Sequence, residues 1–360
     1  MIPRGRHRYI YRAAWKRAAA GALDLLGGWA MRLSFPERLE PRRILAVRLD
    51  HIGDVLFFRP SLRALRRVYP QARITALVSS ASAELLKNEP GLDEVCSWDA
   101  PWFDRSREPK NQASFRGLAA QLRARQFDLG LEFRGDLRHI LLLALARVRV
   151  RVGYGLTGGG FLLHRCLRLR MGAHEVERDF DVIRALGGES FPRAYPPLAL
   201  TPEEIKGGQA MWQGKARRIV IHPAAGDPAK CWPADRFAEV CRRLGPDCQI
   251  ILVGTRKERA LAESVITLSG RPARNAAGET TVRGLAALIT AADVFLGNDS
   301  GPAHLALTQG IPTVMLWSET NAADEWGPWG DTRSAVIRHP LRPEAVDEAV
   351  DAVQQFARPV

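Results

Sequence analysis

The chain reads as an α/β protein built from two doubly wound, Rossmann-like domains facing across a cleft. Three observations predict this. Short apolar runs alternate with helical stretches from residue 43 onward, a Pro-rich segment at 188–203 interrupts the series, and the same alternation then resumes. The length of 360 residues suits two domains, and 46% hydrophobic with 25% charged residues is a globular composition.

In the first half, RILAV (43–47) reads as a strand and Gly53-Asp54 as the turn after it. Residues 55–69 follow helical spacing through Val55, Phe58, Leu62, Leu65 and Val68, with Pro60 implying a kink or a late start. Strands follow at 72–80, at DEVCSW, at 127–133 and at 147–155, separated by helices such as FRGLAAQLRARQ. An amphipathic helix at 174–187 ends on Gly187. The second half opens with a strand and turn at 217–226, then the helix PADRFAEVCRRL, a strand at 248–254 and the helix RKERALAESVITL. GLAALITAA is a further helix, residues 291–296 a buried strand, TVML the next strand, and RPEAVDEAVDAVQQFA the last helix. This sets the domains at 43–190 and 204–340, with a linker at 191–203, a basic segment at 1–42 and a C-terminal helical tail at 341–360.

The net charge of +13 is uneven: residues 1–43 hold ten Lys/Arg against three Asp/Glu. This segment mixes the basic residues with Tyr9, Tyr11, Trp15, Leu23, Leu25, Leu26 and Trp29. It suits an anionic membrane surface, docking on the body of the protein, or nucleic acid, and we expect the membrane. No apolar run approaches the roughly 18 residues that span a bilayer, and no secretory signal is evident. Five scattered cysteines without CxxC spacing argue for a reducing compartment and against a zinc site.

Ligands in doubly wound sheets bind at the carboxyl ends of the strands, so Asp54 and Asp299 are expected to border the cleft. After the strand at 291–296, Asn298-Asp299-Ser300-Gly301 turns into a helix whose first turn carries Pro302. Such a helix start favours a phosphate on the Ser300 and Gly301 amides, and Asp299 beside it can bind sugar hydroxyls. Asp54 can take a proton from an acceptor hydroxyl or serve the helix dipole. The small residues Ala225 and Gly226 let backbone approach a phosphate, and Lys230 can add a point charge. Glu258 is placed to hold ribose hydroxyls or to start a helix. Three patterns are set aside. Gly153-x-Gly155-x-x-Gly158 lacks the following helix, Asp179 and Asp181 would diverge on a helix, and no HxxxH pair occurs.

Taken together, RLDHIGDVLFFRPSLRAL, HPAAGDPAKCWPADRFAEV, ILVGTRKE and GNDSGPAHLALTQGIPTVML resemble the bacterial heptosyltransferases, glycosyltransferase family 9, over roughly residues 43–330. The resemblance implies a GT-B fold, with the acceptor in the first domain, the nucleotide sugar in the second, and a last helix packing back on the first. It implies inverting transfer, most simply of heptose from ADP-heptose to a hydroxyl of a lipopolysaccharide core or related glycolipid. The enzyme would work without metal or cofactor, on the cytoplasmic face of the inner membrane. A different nucleotide sugar, or a non-catalytic binding relative, is the alternative. In this resemblance Asp54 matches the general base, Lys230 the donor-phosphate lysine, and Asp299 the acid that binds the donor sugar. Ser300 and Gly301 fall at the diphosphate, and His304 one helical turn on, where it packs or orients the loop. Glu258 matches the ribose acid, and Arg48 and Arg134 the basic positions that meet an anionic acceptor. This chain departs at Ala224–Asp227, where members often carry hydroxyl residues, at Ser300, often Thr, and in the basic segment before residue 43.

Overall fold

The computed structural model describes residues 9–11, 13–30, 33–103, 112–189, 191–214, 216–338 and 344–357. The chain divides into two units, Met1–Pro192 and Arg193–Val360. The divide falls inside the Pro-rich segment, within residues 191–203.

The first unit holds six parallel strands: β1 (Arg43–Arg48), β2 (Arg73–Val78), β3 (Glu94–Ser97), β4 (Leu129–Glu132), β5 (Val150–Tyr154) and β6 (Arg165–Leu167). Their order is β3-β2-β1-β4-β5-β6. The order reverses between β1 and β4, and that switch point opens a crevice at the carboxyl ends of both strands. Strand β1 is buried from Ile44 onward, and Ile44–Val47 reads as a continuous apolar run before the buried Arg48. The helix Ile52–Val68 runs through Pro60 with Asp54 in its first turn, where the kink or late start was expected. Two elements were not foreseen. The helix Leu137–Leu145 lies on the way from β4 to β5, and β6 completes the sheet.

The second unit repeats the plan with β7 (Arg217–His222), β8 (Cys248–Leu252), β9 (Arg274–Asn275), β10 (Val294–Asn298), β11 (Thr313–Trp317) and β12 (Ser334–Arg338). The order is β12-β11-β10-β7-β8-β9, the same winding read from the other edge. Its switch point lies between β7 and β10. The helix Pro202–Ala210, begun by a Thr201–Glu204 capping box, occupies the end of the expected linker. It packs closely on the helix Val282–Thr290, and a Cβ on Gly208 would stand 2.3 Å from the Ala287 carbonyl carbon.

The last helix, Ala345–Phe356, seats its apolar face in the second unit's core. Ala345, Val346, Ala349, Val350 and Val353 are buried in the second unit's own core with Phe237, Val240 and Ile337. Its i, i+1, i+4, i+5, i+8 spacing makes one apolar stripe, and the helix Ala234–Arg243 and the sheet beside it take that stripe up. Among the described residues, no helix is long and apolar enough to cross a membrane.

Candidate active site

At the switch point of the second unit, three donors converge on one carboxylate. Asp299 follows β10 directly. Its Oδ2 accepts from Lys230 Nζ at 2.5 Å and from Asn321 Nδ2 at 3.1 Å, and its Oδ1 lies 3.1 Å from His304 Nε2. Burial alone would raise the Asp299 carboxyl. The hydrogen bond and charge of His304, with the Lys230 ammonium, outweigh it and bring the group down to about 2. Asp299 is thus held as an anion, with the His304 ring against its Oδ1.

The amino end of the helix Gly301–Thr308 stands next to this acid. Pro302 has no N–H and Ala303 donates to the Ser300 carbonyl at 3.1 Å, so the positive pole of this end is carried by the Ser300 and Gly301 amides. The Ser300 hydroxyl turns to His222 Nδ1 at 3.1 Å instead of capping the helix. His222 ends β7, and its Nε2 stands 3.6 Å from Glu258 Oε2. Glu258 also accepts from the Thr255 amide at 2.6 Å, in a capping box that starts the turn leading into the helix Arg259–Ser269. Burial would raise its carboxyl, but the bond from His222 and the Thr255 amide hold it below the usual range.

The loop with Ala225, Gly226 and Lys230 is stapled to β10 by Asn298. The Asn298 amide donates to the carbonyls of Pro223 at 2.9 Å and Ala224 at 3.3 Å, and its oxygen accepts from the Trp232 amide at 3.0 Å. Asp227, exposed, accepts from the Ala229 amide at 3.0 Å, capping the short turn that carries Lys230. Its charge is thereby engaged by backbone.

In the first unit, Asp54 lies at the amino end of the helix after β1, 3.7 Å from Arg48 Nη2. Arg48 was expected to meet an acceptor. It is instead 2% exposed and enclosed by carboxylates: Asp179 at 2.6 Å, Asp50 at 3.1 Å, Asp54 at 3.7 Å and Glu175 at 3.7 Å. Arg48 Nη1 also donates to the Phe133 carbonyl at 3.0 Å. A cation so enclosed is an internal counter-ion that positions Asp54. Burial would discharge this guanidinium, but the four acids hold it charged. Arg134, after β4, pairs with Asp50 and stacks 4.3 Å over the Phe103 ring, with part of its guanidinium exposed.

Asp50 escaped the sequence reading. It is wholly buried, and burial together with the charge of Asp54 pushes its carboxyl up to about 6 against the pull of Arg134, Arg48 and His139. The signal was present as two acids four residues apart across a Gly turn, Asp50 and Asp54. Asp179 and Asp181 diverge as expected for i and i+2 on a helix. Asp179 faces Arg48, whereas Asp181 pairs with Arg170 and Arg184 on the surface.

Residues 115–353 match the family model described as glycosyltransferase family 9 (heptosyltransferase). The chain is 25% identical over 290 residues to the lipopolysaccharide core heptosyltransferase OpsX of Haemophilus influenzae, covering 78% of this chain and 80% of that protein. Its fold is similar to the glycosyl transferase family 9 structure from Veillonella parvula, with a TM-score of 0.77 at 20% identity over 91% of this chain and 98% of that one. The structure of E. coli ADP-heptose lps heptosyltransferase II gives a TM-score of 0.74 at 22% identity over 88% of this chain and 98% of that one. With two sheets of matching winding, this fold is GT-B, and the chain belongs to glycosyltransferase family 9, the heptosyltransferases.

Proposed function

We propose that this glycosyltransferase moves heptose, with inversion, from ADP-heptose to a hydroxyl of a lipopolysaccharide core or related glycolipid. The observation that carries the reading is the convergence of Lys230, His304 and Asn321 on Asp299 beside a helix amino terminus. An anion fixed by three donors can accept hydrogen bonds from sugar hydroxyls without changing its protonation at neutral pH. The helix pole and Lys230 suit a diphosphate: the charge that develops on the leaving group meets donors already in place, which is where electrostatic catalysis acts. Glu258 with His222 would receive the ribose. Asp54 would take the proton of the acceptor hydroxyl as it attacks the anomeric carbon from the face opposite the diphosphate. Arg134, cationic and partly exposed, would meet an anionic acceptor. With Lys230 and the helix end in these roles, no metal is required. The acceptor sits on a lipid, so the enzyme would work at the cytoplasmic face of the inner membrane, with its basic N-terminal segment on the bilayer.

The test is Asp54→Asn assayed with ADP-heptose and a heptose-acceptor core oligosaccharide. Transfer should fall by at least about a hundredfold, the range for removal of a general base, while ADP binding measured by calorimetry stays unchanged. Undiminished transfer by this variant would overturn the assignment.

A further inference from the structure

Among the described residues, the helix Ala14–Ala30 makes bonds and close contacts along the side of Ala20 and Asp24. Asp24 clamps it: Oδ1 accepts from the Gly159 amide at 2.7 Å and Oδ2 from the Tyr9 hydroxyl at 2.9 Å. Ala20 seats on Gly158, where an added Cβ would stand 3.4 Å from the Ala20 methyl, and Gly27 rests on the Phe161 ring. Gly158 and Gly159 have φ of +97° and +85°, conformations that glycine adopts without strain. The glycine run that mimics a dinucleotide fingerprint is therefore the seat of this helix. The seat follows β5 at the carboxyl edge of its sheet. Thr157, inside it, bonds to Gly135 and Leu137 in the loop that carries Arg134.

The opposite side of the helix faces solvent. At 100° per residue, Trp15, Ala18, Ala22, Leu25, Leu26 and Trp29 gather about 180° from Ala20 and Asp24. No charged residue interrupts this face. Its four large side chains are 68%, 75%, 68% and 85% exposed in chain order. Lys16 borders it, 5.4 Å from the Trp15 ring, and Arg4, Arg6, Arg8 and Arg12 precede it in the sequence.

We propose that this face is an in-plane membrane anchor: an anionic bilayer surface covers Trp15, Leu25, Leu26 and Trp29, and the Asp24 clamp thereby holds the acceptor edge of the first unit at that surface. The inference rests on the membrane reading given above and adds the contact face and its coupling to the Arg134 loop. Charge favours a bilayer over another partner, because the segment is strongly basic and anionic lipid is its complement. Tryptophans at both ends, about 21 Å apart along the axis, suit the headgroup level, and leucines between them suit the acyl boundary.

The experiment is co-sedimentation of the full chain with vesicles of phosphatidylethanolamine and phosphatidylglycerol at 3:1, and with phosphatidylcholine vesicles. The wild type should bind the anionic vesicles. A Leu25→Asp, Leu26→Asp double variant should bind them at least about tenfold more weakly, with an unchanged circular dichroism spectrum and melting temperature. A milder Trp29→Ser variant should be intermediate. Equal sedimentation of wild type and double variant would overturn the proposal. So would a wild-type dimer in gel filtration that the double variant converts to monomer, since a second copy would then cover the face. Vesicle binding is read without any sugar donor, so it stands or falls apart from the transferase reading.

Discussion

Replacing Asp50 by Asn should stabilise the first unit, and by an amount that grows with pH. Asp50 sits inside the sheet edge beside Asp54, and its carboxyl is raised from 3.8 to about 6 by burial first and by the charge of Asp54 second. An acid raised in the folded state contributes its stability below its unfolded value, and that stability is lost as pH rises through the folded value. The window is therefore pH 4 to 6. At about 1.36 kcal/mol per pH unit, ionising Asp50 at pH 7 costs the fold about 3 kcal/mol relative to its protonated form. Asn cannot ionise, so the variant escapes this loss. The pull of Arg134 and Arg48 is already contained in the value of about 6, so losing their ion pairs adds no further pH dependence. The quantity to read is the change in the difference between variant and wild type. Urea unfolding followed by tryptophan fluorescence, at intervals from pH 4.5 to 7.5, should show the variant gaining about 2 kcal/mol on the wild type across that range. A flat difference, or one that moves against the variant as pH rises, would refute the reasoning and show that the two arginines outweigh burial.

Three further outcomes follow from the same geometry. Lys230→Ala should lower kcat for heptosyl transfer by about 10²–10³-fold, the scale for loss of one charge-stabilising donor; a steady-state assay with an unchanged kcat would remove Lys230 from the leaving-group role. Asp299 is depressed to about 2, so it stabilises the fold above pH 3.8 and that contribution is lost as pH falls through 2. Asp299→Asn should therefore cost about 2 kcal/mol at pH 7 and close the gap with the wild type toward pH 2, and a gap constant from pH 7 to 2.5 in denaturant titrations would contradict it. Gly208→Ala forces a methyl against the Ala287 backbone and should destabilise by about 1–3 kcal/mol, seen as a fall in melting temperature of several degrees; an unchanged melt would mean that the two helices slide apart freely.

The long elements were legible because each carries its own period or run. The helix at 175–184 and the strand β1 can be read without knowledge of their neighbours. The elements that escaped lack such a signal. Strand β9 has two residues and β6 three, too short for alternation to register. The helix Leu137–Leu145 is apolar nearly all round, so no face stands out. The site divides the same way. Asp54, Lys230, Asp299 and Ser300 lie in strand–turn–helix motifs whose local chemistry places them. The enclosure of Arg48 depends on Asp179, 131 positions away, and the Asn298 staple on Pro223, 75 positions away. Only the winding of the sheets brings those pairs together, and spacing along the chain cannot report it.

The destination of the last helix has a practical consequence. Because Ala345–Phe356 closes over the second unit's own core, the described residues of that core lie in one stretch of chain, Ile219 to Ala357. A fragment of residues 193–360 keeps every described strand of the second sheet beside its neighbours. It is a natural minimal reagent, small enough for residue-level NMR, in which adenine, uracil and guanine nucleotides can be compared amide by amide. The same truncation in a protein whose tail crossed to the other domain would strip a helix from one core and expose an apolar stripe on the other.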